Sequence, residues 1–337
     1  MKILVGLSGG LDSTYAAHVL KELGHDVVGA AVIMHEHTDV NSAKASAEAV
    51  GIPFVVIDAR DTFKNTVVKR FVMDYENGRT PNPCIECNRH VKFGALCDYA
   101  SENGYDKVAT GHYANISYED GRYFIKADDS VKDQSYVLWR LTQKQLSMLY
   151  LPLCGMNKAD IRAKASELGY KAAEAKESQD ICFIPDGNYV SFIKNYAHKT
   201  YGEGDFVDIN GNKIGTHKGI INYTVGQRKG LGAYGKPMFV FSVDPLKNTV
   251  TLVPSGEEYS QATVVKELNF MKLPETQSGT IKCFCRVRYS AKPMPCEAEF
   301  VGDSAKVTFE NQTRAVTPGQ SAVFYDGNDL LFGGIIN

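Results

Sequence analysis

A short apolar run, Ile3–Leu7, breaks directly into Ser8-Gly9-Gly10-Leu11-Asp12-Ser13. No other stretch constrains the fold as strongly, because it demands a buried strand, a tight glycine turn and a helix in immediate succession. The glycines let the backbone approach a ligand closely. The unpaired N–H groups and positive end of the helix opening there favour an anion. No Gly-Lys-Ser/Thr follows, so the loop is not of the Walker type. Asp12, an acceptor-only side chain, is placed to help hold Mg2+ on bound phosphates. A plain glycine turn with an Asp or Ser cap is the bland alternative. Six such residues placed after a buried strand favour a phosphate loop over it.

The first 200 residues keep alternating apolar runs with helical patterns. Val27–Ile33, Phe54–Ile57 and Lys107–Thr110 read as strands, and Ser13–Leu23, Asn41–Val50, Thr62–Tyr75 and His90–Asn103 as helices. This alternation predicts an α/β domain with a parallel sheet covered on both faces. Near residue 200 the texture changes to short β-rich runs punctuated by Gly, Asn and Pro, first Gly219–Val225, Met238–Val243 and Thr249–Val253. Similar runs follow from about residue 262, which suggests small β-domains or barrels. The expected domains are 1–200, 201–262 and 263–337.

A length of 337 residues suits two or three domains. The start, MKILVGLSGG, does not read as a signal peptide, and no run of about 18 apolar residues predicts a membrane span. Eight cysteines without a secretory signal fit a reducing, cytoplasmic compartment. There they serve as buried thiols, catalytic thiols or metal ligands.

Thr80-Pro81-Asn82-Pro83-Cys84-Ile85-Glu86-Cys87-Asn88 holds the most telling of them. The two prolines keep this stretch out of a helix. Cys87 is therefore expected just before a helix starting near Arg89 or His90, where a thiol ionises easily. A lone Cys-x-x-Cys is ambiguous among zinc, redox chemistry and packing, and no second pair completes a four-cysteine zinc site. Cys182, in Glu177-Ser178-Gln179-Asp180-Ile181-Cys182-Phe183-Ile184, would read alone as a buried small apolar residue. Cys97 and Cys154 read the same way. Cys283 and Cys285 alternate on one strand face, and core packing is preferred there over a metal site with Cys296. His35 and His37 are read as a polar loop at the edge of the nucleotide pocket rather than as metal ligands.

The Ser8–Ser13 loop resembles the pyrophosphate loop of the PP-loop ATP pyrophosphatases. Gly78–Asn88, Gly111-His112-Tyr113-Ala114, Lys132-Asp133-Gln134-Ser135-Tyr136, Glu177–Ile184 and Tyr223–Gly232 follow in order. Together they resemble the tRNA-specific 2-thiouridylases, the MnmA/TrmU family, over nearly the whole chain. The resemblance implies a PP-loop (adenine nucleotide α-hydrolase-like) N-terminal domain, a small β-rich tRNA-binding domain and a C-terminal β-barrel. It implies that ATP adenylylates the C2 oxygen of a wobble uridine in tRNA and that sulfur then displaces AMP to give 2-thiouridine. Cys182 would carry the sulfur as a persulfide. Cys87 would be the partner nucleophile that releases it or closes a disulfide. Gly6, Leu7, Ser8, Gly9, Gly10, Leu11, Asp12, Ser13, Met34 and Gly111 would contact ATP. Asn82, Pro83 and Cys84 would meet the target base. His112, Lys132, Asp133, Gln134, Arg288, Tyr289 and Gln320 would contact tRNA. A sulfur-donor protein or a sulfide source would supply the sulfur.

One position departs from the family: Cys84 stands where studied members have an aspartate. Three thiols, Cys84, Cys87 and Cys182, then surround one site, a set that also suits an iron–sulfur cluster with an open iron position. Persulfide relay and cluster-bound sulfur both remain open, with the cluster slightly preferred.

The net charge of −2 hides two acid-free stretches. Between residues 211 and 243 lie Lys213, Lys218, Arg228, Lys229 and Lys236, and between 281 and 294 lie Lys282, Arg286, Arg288 and Lys292. Such patches suit phosphate neutralisation, and Tyr223, Tyr234 and Tyr289 among them are expected to stack on bases. An amidating PP-loop ligase would need no thiols, and a non-catalytic RNA-binding module would not need an intact loop. These are the alternatives.

Overall fold

The computed structural model describes residues 1–128, 132–174 and 181–337. Strand β1 (Lys2–Gly6) lies at the centre of a parallel sheet with β2 (Asp26–Ile33), β3 (Phe54–Asp58) and β4 (Lys107–Ala109). A hairpin of β5 (Asn115–Glu119) and β6 (Arg122–Lys126) precedes the last strand, β7 (Leu149–Tyr150), and the order is β3-β2-β1-β4-β7. Ile3, Leu4 and Val5 are fully buried. The pleat sends Ile3 and Val5 into the core beneath helices α1 (Leu11–Glu22) and α2 (Val40–Val50), and Leu4 into the core on the other face. Burial on both faces is why β1 reads as a continuous apolar run.

Helices over residues 60–76 and 83–102 cover that second face. Each contains one π turn, Lys64–Val68 and Asn88–Lys92, and in the second the N–H of Phe93 reaches back five residues to Asn88 O. The second helix corrects the sequence expectation. It begins at Pro83, a residue suited to the first helical turn, and its first segment, Pro83–Cys87, already contains Cys87.

The central unit has β8 (Gly204–Val207), β9 (Lys213–His217), β10 (Met238–Asp244) and β11 (Thr249–Pro254) in the order β10-β11-β8-β9. The strand expected at Gly219–Val225 is absent among the described residues. A 3-10 turn, Ile220–Asn222, occupies part of it, with Ile220, Ile221 and Tyr223 buried. The apolar run there signalled burial, which periodicity alone does not convert to strand.

The C-terminal unit comprises β12 (Tyr259–Phe270), β13 (Gly279–Arg286), β14 (Met294–Val301), β15 (Ser304–Arg314), β16 (Ser321–Asp326) and β17 (Asp329–Ile336). They run β12-β15-β14-β13-β16-β17, and β12 also pairs with β17 to close an antiparallel barrel. Closure removes exposed sheet edges. Cys283, Cys285 and Cys296 are buried in its core.

The barrel is tied to the α/β domain by buried contacts. Tyr136 OH donates to Ser321 O (2.9 Å), and Trp139 Nε1 donates to Ser321 Oγ (3.0 Å). Arg70 and Arg140 both pair with Glu267 of β12, and Arg140 also pairs with Glu86 beside the cysteines. Among the described residues, no helix is long and apolar enough to cross a membrane.

Candidate active site

The loop after β1 is braced by its own hydroxyls. Ser8 N donates to Ser13 Oγ (3.2 Å), and Ser13 Oγ and Thr14 Oγ1 both donate to Gly10 O. Gly10 caps α1 with no side-chain hydrogen bond, so no side chain competes at that cap with an anion for the first N–H groups of the helix. Gly9 has φ of +79°, and a Cβ there would lie 2.5 Å from Ser42 Cβ. Gly111, at the end of β4, faces the loop from the other side, and its Cβ would lie 2.6 Å from the Asp12 carbonyl carbon. Glycine is required at both.

A cavity of about 490 Å³ opens above this loop, within the usual range for a small-ligand site. Gly6, Leu7, Ser8, Asp12, Ser13, Met34 and Gly111 line it, together with Lys92 and Cys182. Asp12 is already engaged: Oδ1 accepts from Tyr113 OH (2.8 Å) and Oδ2 pairs with Lys158 Nζ (2.9 Å).

Cys84 and Cys182 are exposed thiols and Cys87 is buried. Burial pushes Cys87 up to about 12, against a smaller pull from Lys92, while Cys182 and Cys84 lie near enough to raise it further. The expected low-pKa thiolate at a helix start is thereby corrected, since Cys87 packs inside the helix with its Sγ 3.4 Å from Met34 Sδ. Cys182 is also pushed up by burial, with Lys92 opposing.

Lys92 was missed in the sequence because residues five apart do not share a face of an α-helix. The π turn between them brings Lys92 round to the cysteines. Burial opposes its charge, and proximity to Cys87, Cys84 and Cys182 outweighs that. His112 lines the same cavity, accepts or donates at Nδ1 with Thr110 Oγ1 (2.8 Å), and is held down to about 3 by burial and Lys92. It is a neutral imidazole. His35 also lines the cavity, and both its ring nitrogens are buried without a partner.

The remaining sequence candidates are dispersed. Gln134 Oε1 accepts from Tyr113 N, and Asp133 is occupied by Ser135 and Arg286. Gln320 Nε2 donates to Thr80 O (2.8 Å), pinning the segment that leads into Asn82 and Pro83. Arg288 and Tyr289 are exposed, and Lys132 is half-buried. Tyr223 is buried against Phe206 and His217, so it is a core residue and not a stacking platform. Residues 177–180 of the Cys182 motif lie outside the described residues.

Phosphate loop, parallel sheet and nucleotide-sized cavity make the N-terminal unit a HUP domain of the PP-loop kind. Residues 1–186 match the profile of the tRNA methyl transferase HUP domain, 190–254 that of the tRNA methyl transferase PRC-barrel domain, and 260–336 that of the aminomethyltransferase beta-barrel domain. The chain is 44% identical to a tRNA-specific 2-thiouridylase MnmA of Clostridium tetani, covering 99% of this chain and 96% of that one. It is 42% identical to the enzyme of Acetivibrio thermocellus (99% of each chain) and 41% identical to that of Clostridioides difficile (99% and 98%). The chain belongs to the tRNA-specific 2-thiouridylase MnmA family.

Proposed function

We propose that this protein is a tRNA-uridine 2-sulfurtransferase that uses ATP to convert the wobble uridine of tRNA to 2-thiouridine. Its full-length relatives carry that activity in their names. The observation that carries the reading is that one cleft holds both a phosphate loop and Cys182, with Cys87 in electrostatic reach. Methyl transfer, the term in two of the profile descriptions, requires neither feature.

The target base must leave its stack to enter the cleft, past Asn82, Pro83 and Cys84. Attack of its C2 oxygen on the α-phosphorus of ATP forms a C2–O–AMP ester and releases pyrophosphate against the loop N–H groups. The Cys182 thiolate takes the outer sulfur of a donor protein's persulfide, the donor's thiolate leaves, and the terminal sulfur of the Cys182 persulfide so formed attacks C2. The C2–O bond breaks and AMP leaves with its electron pair. Cys87 thiolate then attacks the Cys182 sulfur, the sulfur left on C2 departs as the thiocarbonyl, and a Cys87–Cys182 disulfide remains for an external thiol reductant.

Mg2+ would neutralise the phosphate charge. Asp12, the carboxylate nearest the loop, suits it chemically, through lone pairs not used by Tyr113 and Lys158. A cluster finds less support. Among the described residues, no three His, Cys, Asp or Glu side chains are arranged to hold a metal ion, so the three thiols would have to regroup. Persulfide relay is therefore the chemistry we carry forward. Anaerobically purified wild type beside Cys84→Ala is expected to show neither stoichiometric iron nor a visible chromophore. Iron present in wild type and lost in the variant would overturn that choice.

The function itself is tested by nucleoside mass spectrometry of unmodified tRNA incubated with enzyme, Mg-ATP and a persulfide donor. Wild type should form 2-thiouridine, and Cys87→Ser and Cys182→Ser should each lose it by at least about 1000-fold. Normal product from either variant sinks the assignment.

A further inference from the structure

We infer that Lys92 is a catalytic residue, the cation that contacts the phosphate of the activated base while sulfur attacks. This rests on the function proposed above and names a group to which that mechanism gave no role.

Among the described residues lining the cavity, Lys92 is the one lysine or arginine. Its neighbours in the domain show how cations are otherwise placed: Lys158 pairs with Asp12, Arg140 with Glu86, and Arg286 with Asp133. Among the described residues, no carboxylate lies within ion-pair distance of Lys92. What surrounds it is sulfur, with Cys87, Cys84 and Cys182 the groups that favour its charge. The cleft therefore presents a buried lysine with no carboxylate beside it. Burying a cation is costly unless an anion joins it.

The reaction supplies two anions. The adenylylated base bears a phosphodiester negative charge, and the attacking persulfide is anionic. Bringing them together without a cation is strongly unfavourable in a water-poor cleft. As the S–C2 bond forms and the C2–O bond breaks, the electron pair goes to AMP, whose phosphate becomes more negative. An ammonium between loop and thiols gains attraction at that moment, which makes it an aid to the transition state more than to binding. The π turn over Asn88–Lys92 brings Lys92 to the cavity that the phosphate loop and Cys182 also line. His112, neutral beside it, adds no competing charge.

The test compares wild type, Lys92→Met and Lys92→Arg as full chains with Mg-ATP, an unmodified tRNA transcript and a persulfide donor as sulfur source. It reads single-turnover 2-thiouridine formation and, separately, ATP affinity by equilibrium dialysis. Lys92→Met is expected to slow product formation by about 100-fold or more with ATP affinity changed less than about fivefold, and Lys92→Arg to recover at least about a tenth of the wild-type rate. Lys92→Met within threefold of wild type overturns the inference. So does Lys92→Arg as slow as Lys92→Met while still binding ATP. If Lys92→Met loses ATP altogether, Lys92→Arg alone decides: recovery supports the role, and no recovery ends it. Absence of 2-thiouridine from wild type would instead remove the underlying function.

Discussion

Gly111 approaches the phosphate loop so closely that a single methyl would strike the backbone of Asp12 and Ser13. The obstacle is backbone, not the end of a flexible side chain, so the loop itself must move. Gly111→Ala is expected to cost about 1–3 kcal/mol and to weaken ATP binding more than it lowers the melting temperature. Calorimetric titration beside a thermal melt checks this, and unchanged ATP affinity would mean the loop yields freely. The thiols give a second residue-level expectation. Cys84 and Cys182 are exposed and Cys87 is buried with its pKa near 12. A thiol whose pKa is raised stays neutral until the pH nears that value, so at pH 7.5 iodoacetamide should label Cys84 and Cys182 well before Cys87. Peptide mass spectrometry over time reads the order, and early labelling of Cys87 contradicts the buried placement. The identity of these residues was legible in the sequence, but their environments were not. Pro83 looked like a helix breaker and turned out to be the first residue of the helix, which moved Cys87 from an exposed end to the interior.

The helix over 83–102 is held from its buried side by charge. Glu86, next to Cys87 and two residues after Cys84, pairs with Arg140, which also binds Glu267 of the barrel, as does Arg70. Arg140 and Glu86 are both nearly buried, so removing one strands the other. Arg140→Ala should destabilise the protein by about 3–5 kcal/mol, and adding Glu86→Gln should restore part of the loss. Chemical denaturation of the single and double variants measures this, and strict additivity would deny the coupling. Glu267 makes the same network sensitive to acid. Burial alone would raise its carboxyl, but Arg70 and Arg140 outweigh this and bring it from 4.5 to about 2. A depressed folded pKa contributes stability above the unfolded value, lost as pH falls from about 4.5 towards 2. Asp74, pushed the other way by burial, offsets a part. Glu267→Gln should therefore flatten stability against pH across that acid window, as urea midpoints at stepped pH would reveal. None of this was visible in the sequence, because its partners lie up to 197 residues apart. Parallel alternation of strand and helix is a local signal and was readable. A π turn changes no composition, and the six-strand closure depends on which distant edges meet.

At the scale of the whole molecule, a chain of net charge −2 must still hold a polyanion. The two acid-free stretches are acid-free only along the chain. Folding brings Asp205 to Lys213 (2.6 Å) and Glu297 to Lys282 (3.6 Å), and commits Arg286 to Asp133. Periodicity could reveal the strands, but not which acid would face which base across a sheet. Arg228 and Lys229, on one loop, and Arg288 beside exposed Tyr289 remain at the surface, and Arg228, Lys229 and Arg288 have no salt-bridge partner among the described residues. Each phosphate that such a side chain neutralises releases counterions, so the logarithm of the binding constant falls with the logarithm of salt by about 0.7–0.9 per contact. Replacing both Arg228 and Lys229 by Ala should thus weaken tRNA binding at low salt and reduce the salt slope by roughly 1–2. The loss should be similar for tRNAs of different sequence, since phosphate contacts carry no base information. Lys213→Ala and Lys282→Ala should change the slope much less, each already having a carboxylate beside it. Filter binding over a salt series separates the two sets. Equal slopes for all these variants would place the tRNA backbone on another face, and Arg288 with Tyr289 would then be the next surface to neutralise.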